Sequence, residues 1–274
     1  MAFSWQDRVV LVTGGSSGIG LEIARWCAAR GAHVWLMARG VERLAHALDQ
    51  MRLAAKSADQ RFGMSAVDLS DPDQASLAIS QMIQEMGVPY LLVNSAGAAH
   101  PGYVQELRPA IFRWMMDANY FTTVYATKAV LPGMIARRSG HIVNLASIAG
   151  FLGVFGYSAY GASKFAVVGF SEVLRAELKQ YDIRISVVFP SDTQTPQLEY
   201  ENRFKPPETK ALSGTMAPLS AERVAHTIMQ QVEAGRYAIF TSLDGYMIYA
   251  LSRILPKAWV FAILDRLIAR VAKA

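Results

Sequence analysis

The chain has 274 residues, 52% hydrophobic and 18% charged, with a formal net charge of +5. That composition builds a sizeable buried core and fits one large domain or two small ones. The charge is modest and no basic run interleaves with aromatics, so nucleic-acid binding is not expected; a single cysteine, Cys27, excludes an internal disulfide and a cysteine metal cluster, and no metal site is expected.

The opening run, Met-Ala-Phe-Ser-Trp-Gln-Asp-Arg, lacks the basic segment and apolar stretch of a signal peptide, which makes a cytoplasmic setting the expectation. Residues 8–13, Arg-Val-Val-Leu-Val-Thr, form a β-branched run suited to a strand buried on both faces of a parallel sheet. Gly14-Gly-Ser16-Ser17-Gly18-Ile19-Gly20 follows at once, and a helical pattern begins at Leu21. Strand, glycine loop and helix together make a phosphate cradle. Backbone approaches the anion closely at the glycines, and the helix N-terminus faces the charge. The same loop spells Gly-x-Ser-x-Gly at Gly14, Ser16 and Gly18, but a nucleophile elbow normally follows several strands and needs a later acid and histidine. His226, the only histidine in the last third, lies in a charged helical pattern and is expected to be solvated. Cys27 sits in the apolar pattern of the first helix and is expected to be packed and inert.

A second strand, His33 to Ala38, leads into Arg39. An acid at this point would hold a ribose 2′-hydroxyl, whereas arginine suits a 2′-phosphate. No acid occupies 37–40, and Arg39 and Arg43, four apart at the start of the next helix, favour NADPH over NADH. A third strand ends in Ala66-Val67-Asp68-Leu69, and a fourth, Tyr90 to Val93, closes with Asn94-Ser95-Ala96-Gly97. One long helix over about 110–137 carries Asn119.

The strand at 141–146 delivers Ser147. Residues 142–163 hold no charge, but four glycines, serines and Asn144 divide them into strand, loop and helix start rather than a membrane span. Tyr160 and Lys164 lie one helical turn apart on one face. Phenol, ammonium and hydroxyl therefore converge as a proton-donating centre for a carbonyl oxygen, with the lysine expected to lower the tyrosine pKa. Tyr157, with Gly161 rather than lysine four residues on, lacks that partner. A sixth strand, Ile183 to Phe189, runs into Pro190-Ser-Asp-Thr193-Gln-Thr195-Pro196, and Gly, Pro and polar residues cluster over about 190–220 as a flexible substrate lid.

These ordered motifs, Thr-Gly-x-x-x-Gly-x-Gly, Asn94-Ser-Ala-Gly97, Asn119, Ser147 and Tyr160-x-x-x-Lys164, cover nearly the whole chain and resemble those of the short-chain dehydrogenases and reductases. The resemblance implies an α/β fold, a doubly wound parallel sheet of about seven strands with helices on both faces. It implies catalytic roles for Asn119, Ser147, Tyr160 and Lys164. Cofactor contacts would come from Gly14, Ser16, Ser17, Gly18, Ile19, Gly20, Arg39, Arg43, Asp68, Leu69, Asn94, Ala96, Gly97, Tyr160, Lys164, Pro190, Thr193 and Thr195. Asp68 would meet the adenine, Asn119 would order a water between the lysine and solvent, and Thr193 and Thr195 would close over the nicotinamide carboxamide. Pro190-Ser191 departs from the usual Pro-Gly.

A narrower resemblance begins at Asp192-Thr-Gln-Thr-Pro196 and continues through Glu201-Asn-x-x-Lys205-Pro-x-Glu208-Thr209 and Asp244-Gly-Tyr-Met247. It points to the 3-ketodihydrosphingosine reductases and implies NADPH-dependent reduction of a long-chain amino ketone in sphingoid-base synthesis. Reduction of a 3-ketoacyl thioester or a steroid-like ketone is the alternative, and a non-catalytic dinucleotide sensor is a third reading. A homo-oligomer is expected. The organisation is a catalytic domain over 1–244 with a helical extension over 245–274. Arg253, Lys257 and Asp265 interrupt that tail too often for a spanning helix, and Pro256 should kink it. Arg266, Arg270 and Lys273 share a face opposite, in part, Ile263, Leu267 and Val271, which with Trp259 suits a peripheral membrane contact or a tail packed on a partner subunit or the substrate mouth.

Overall fold

The computed structural model describes residues 4–213 and 217–271. Seven parallel strands form the central sheet in the order β3-β2-β1-β4-β5-β6-β9. They are β1 (Val9–Thr13), β2 (His33–Ala38), β3 (Phe62–Ala66), β4 (Leu91–Asn94), β5 (Gly140–Leu145), β6 (Ile183–Phe189) and β9 (Ala238–Phe240). The crossovers are α1 (Gly18–Ala28), α2 (Val41–Leu53), α3 (Pro72–Met86), the α4–α5 segment, α6 (Ser158–Leu178) and α9 (Ala221–Glu233). Strand order reverses between β1 and β4, the place where an open α/β sheet leaves a crevice beyond its carboxyl ends.

Alternation along the strands makes two cores. Val10, Val12, Val34, Leu36, Val93 and Val143 face α1, α2 and α9, burying Ile23, Cys27, Leu44 and Ile228. Leu11, Met37, Leu92, Ile142 and Ile185 face α3, α5 and α6. Cys27 is fully enclosed, and burial pushes its thiol well above the usual range, the inert state expected of it.

The long helix over 110–137 is not uniform. It consists of α4 (Pro109–Met115), one π-helical stretch (Met116–Phe121) and α5 (Thr122–Arg137). The widened turn carries Asn119, a common siting for functional residues.

The described part of the 190–220 segment holds four regular elements. It folds as β7 (Thr193–Gln194), α7 (Pro196–Phe204), α8 (Pro207–Ser213) and β8 (Leu219–Ser220), with β7 and β8 paired. Each helix starts on a proline at its first turn, where the missing N–H costs nothing, and the Thr195 hydroxyl caps α7 by accepting from Leu198 N at 3.3 Å. The extension forms α10 (Leu243–Ile254) and α11 (Lys257–Val271), broken at Pro256 as expected. Lys273 lies outside the described residues, as do the side chains of Leu267, Arg270 and Val271. No helix among the described residues is long and apolar enough to cross a membrane.

Candidate active site

One cleft of about 1570 Å³ opens at the carboxyl ends of the strands, and most of the residues singled out in the sequence line it. Each strand delivers its share: Gly14 to Ile19 after β1, Arg39 and Arg43 after β2, Asp68 and Leu69 after β3, Ala96 and Gly97 after β4. Ser147 follows β5, and Pro190, Thr193 and Thr195 follow β6.

The glycine loop is drawn tight against its neighbours. Gly14 has φ +67°, and a Cβ there would stand 2.6 Å from the Ala96 amide nitrogen. Gly20 does not reach the cleft. A Cβ on it would meet the Gly14 carbonyl oxygen at 2.7 Å, so its role is to let the helix pack onto the loop. Ser17 caps α1 without a side-chain hydrogen bond, and the first turn holds no acidic residue. The amide end of an eleven-residue helix thus faces the cleft with its positive end unanswered by side chains, which fits an anionic group. Arg39 stands before α2 rather than within its first turn, since Gly40 is the N-cap, yet both arginines border the cleft. The Asp68 carboxylate accepts from the amide and the hydroxyl of Ser70, at 3.0 and 2.8 Å, which fixes its orientation.

Asn94 differs from expectation. Its side chain points into the sheet, where Nδ2 donates to Asn144 Oδ1 at 2.8 Å and Thr127 Oγ1 at 3.2 Å. The two asparagines are register partners on β4 and β5, so the pair closes the sheet interior and leaves the cleft to Ser95, Ala96 and Gly97. Asn119 is likewise buried behind the wall. Its carboxamide donates to the Ala98 carbonyl at 2.9 Å and to Ser163 Oγ at 3.0 Å, and accepts from Ala98 N at 3.0 Å. It pins the loop after β4 onto α6.

Ser147, Tyr160 and Lys164 converge as the spacing predicts. The Ser147 hydroxyl acts on the Tyr160 phenol, lowering its pKa, and Lys164 Nζ lies 5.7 Å from the Tyr160 ring centroid. Lys164 Nζ also donates to the Leu145 carbonyl at 2.9 Å, so it is anchored to the end of β5. The electrostatics run against the sequence expectation. Burial raises the Tyr160 phenol above its ordinary value, the Glu201 carboxylate raises it further, and Ser147 offsets part of this. Burial also lowers Lys164 to about 8, against a smaller upward pull from Glu201. Enclosure is thus the largest influence on both groups.

Two groups escaped sequence reasoning. Tyr157 lines the cleft, and its hydroxyl donates to Glu201 Oε2 at 2.6 Å. Glu201 itself is buried on α7 with an edge on the cleft. Its motif was visible in sequence, but only the folding of the 190–220 segment over α6 brings it beside Tyr160. The outer walls are apolar: Leu152, Phe155 and Leu198 meet Ile248 of α10 and Phe261 and Ile268 of α11. The tail thus forms part of the cleft mouth. Among the described residues, no cluster of three histidine, cysteine or acidic side chains could hold a metal ion.

The family described as short chain dehydrogenase matches residues 8–205. A 3-dehydrosphinganine reductase from Danio rerio is 39% identical over 244 residues, covering 89% of this chain and 74% of that relative. A 3-ketodihydrosphingosine reductase from Dictyostelium discoideum is 35% identical over 285 aligned residues, 99% of this chain and 85% of that relative. The solved L-sorbose reductase of Gluconobacter frateurii, complexed with NADPH and L-sorbose, superposes with a TM-score of 0.76 at 25% identity, covering 88% of this chain and 97% of that one. The uncapped helix behind a glycine loop, the parallel sheet that carries it and the extent of these matches agree: the chain belongs to the short-chain dehydrogenase family.

Proposed function

We propose that the protein reduces the 3-ketone of a long-chain amino ketone, 3-ketodihydrosphingosine, to the alcohol with NADPH, a step of sphingolipid biosynthesis. The observation that carries this reading is one cleft holding an uncapped helix N-terminus, a Ser-Tyr-Lys centre and an extended apolar mouth. The names of the Danio rerio and Dictyostelium discoideum relatives support the substrate.

The residues present fit a phosphorylated dinucleotide. The first turn of α1 and the backbone from Gly14 to Ile19 would take the pyrophosphate, Arg39 and Arg43 the 2′-phosphate, and Asp68 and Leu69 the adenine end. Ala96, Gly97, Pro190, Thr193 and Thr195 would border the nicotinamide. When bound, NADPH supplies a hydride for the ketone carbon. Tyr160 gives its proton to the ketone oxygen, and a phenol held protonated by its surroundings is the resting state a donor needs. Ser147 holds that oxygen through the hydroxyl that already meets Tyr160. Lys164, as ammonium, stabilises the phenolate left behind and reaches toward the ribose. Asn119 acts at one remove by fixing the Ala98 loop.

The decisive assay compares NADPH oxidation with 3-ketodihydrosphingosine and with a 3-ketoacyl thioester of matched length. Preference for the amino ketone is the expected result. Faster turnover of the thioester overturns the substrate reading while leaving ketone reduction in place, and no oxidation with either would favour a non-catalytic dinucleotide-binding role.

The extension suggests where the substrate is met. Leu243, Met247, Leu251 and Ile254 form one exposed stripe on α10, and Trp259 and Ile263 of α11 are exposed as well. This apolar face adjoins helices that line the cleft mouth, and it supports docking of that mouth on an anionic membrane surface.

A further inference from the structure

Glu201 is a buried carboxylate that the chemistry above does not use. It is 8% exposed, lies on α7 and lines the cleft. Oε2 accepts from Tyr157 at 2.6 Å and Oε1 accepts from Gln197 Nε2 at 3.0 Å. Two neutral donors leave further acceptor positions on the carboxylate unused. Lys205, four residues on, is buried, but its ammonium is 3.7 Å from Asp192 and so is shared with a second carboxylate. Burial holds the Glu201 carboxyl above the usual carboxylate range, offset only in part by Tyr157, Gln197 and Lys205, so a cation arriving beside it would favour its charged form.

The position of this anion is as telling as its burial. Tyr157, the N-cap residue of α6, lies three residues before Tyr160, and the two ring centroids are 5.5 Å apart. Glu201 therefore flanks the proton donor on the cleft side. In a 2-amino-3-ketone the nitrogen is two bonds from the carbonyl carbon and stays close to its oxygen. A ketone oxygen held by Ser147 and Tyr160 then places the nitrogen in the neighbourhood of Tyr157 and Glu201. Asp192, the other carboxylate nearby, is more exposed and already paired with Lys205.

We propose that Glu201 receives the substrate's ammonium group and that Tyr157 holds the carboxylate in place for it, making the pair the determinant of amine recognition. This rests on the reading of the site as an amino-ketone reductase. It also accounts for a cation being welcome beside Lys164, since the carboxylate offsets the repulsion between the two.

The test uses three forms of one long-chain 3-ketone: with the free 2-amine, with that amine acetylated, and with hydrogen in its place. The parent protein should favour the free amine in kcat/KM. In Glu201→Gln, an isosteric change, the loss should fall on the free amine by about 10- to 100-fold, chiefly through KM, so that the preference over the two neutral ketones collapses. Tyr157→Phe should shift the ratio in the same direction by less. Equilibrium binding of the long-chain amino alcohol should weaken by a similar factor in Glu201→Gln, with its N-acetyl form much less affected. An unchanged preference ratio in a folded Glu201→Gln protein overturns the proposal. Equal parent rates for charged and neutral ketones also overturn it and leave ketone reduction standing. A parent that reduces none of the three defeats the substrate reading, and this inference with it.

Discussion

Tyr160 and Lys164 show how far a pair of residues is shaped by its enclosure. The phenol meets Ser147 and is held protonated by burial, so replacing it removes the proton donor without removing a charge. Tyr160→Phe should lower kcat by several orders of magnitude while NADPH still binds with near-parent affinity in a fluorescence titration; substantial residual turnover would count against the donor role. Lys164 gives a stability signature. Its folded pKa, about 8, is below the unfolded value of about 10.5, so between those pH values the unfolded chain binds more protons. Stability therefore rises with pH across that window, and below about pH 8 the buried ammonium carries its full desolvation cost. In the cofactor-free protein, Lys164→Met should melt at or above the parent temperature at pH 7, and the difference should shrink toward pH 10. A variant that is less stable at pH 7 by the same margin as at pH 10 would show that the Leu145 contact, not desolvation, governs this site.

At the scale of elements, the turn from β2 into α2 is where the proposed preference for NADPH is to be tested. Arg39 and Arg43 border the adenine end of the cleft from either side of Gly40, and the acidic neighbour Glu42 is exposed and does not line the cleft. A charge-assisted bond to a phosphate contributes about 1.5–3 kcal/mol, so Arg39→Ala should weaken NADPH roughly tenfold or more and leave NADH nearly unchanged. Equal parent affinities for the two cofactors would sink this assignment. Strand and glycine-loop positions were legible because buried parallel strands read as unbroken apolar runs and the cradle follows one of them at fixed spacing. The inward turn of the Asn94 side chain was not legible, because a motif says which residue ends a strand, not which way it points. Its register partner Asn144 turns it inward. The 190–220 segment was read as flexible because Pro and polar residues are abundant there. Within it, Thr195-Pro196 and Pro206-Pro207 are helix starts. Glu201 could not be placed until α7 was, since its partner Tyr157 is 44 residues away.

On the scale of the whole molecule, the cleft is closed by a helix pair whose outer side stays apolar. Phe261 and Ile268 of α11 line the mouth, and Ile254 and Trp259 beside the Pro256 break are 79% and 63% exposed. Isolated exposed apolar residues need no explanation, but an i, i+4, i+8, i+11 stripe over α10 is a continuous face, and Trp259 and Ile263 of α11 are exposed as well. Arg253, Lys257 and Arg266 accompany it and are exposed. Arg253 makes a loose contact with Glu172, at 3.9 Å and about half exposed on both sides, and lies 5.3 Å from the Tyr249 ring centroid, so its charge remains accessible to a surface. Each such cation contributes about 1 kcal/mol near an anionic leaflet, less as salt rises, and the apolar stripe adds a salt-independent part. The protein should therefore co-sediment with phosphatidylserine-containing liposomes at low salt, release partly at high salt, and bind neutral liposomes weakly. Ile254→Glu combined with Trp259→Glu changes only exposed positions and should abolish co-sedimentation while leaving turnover of detergent-solubilised ketone intact. If the parent ignores anionic liposomes at low salt, docking through this face is wrong. A second copy of the chain is then the occupant to test, by whether the same double variant alters the mass measured in solution.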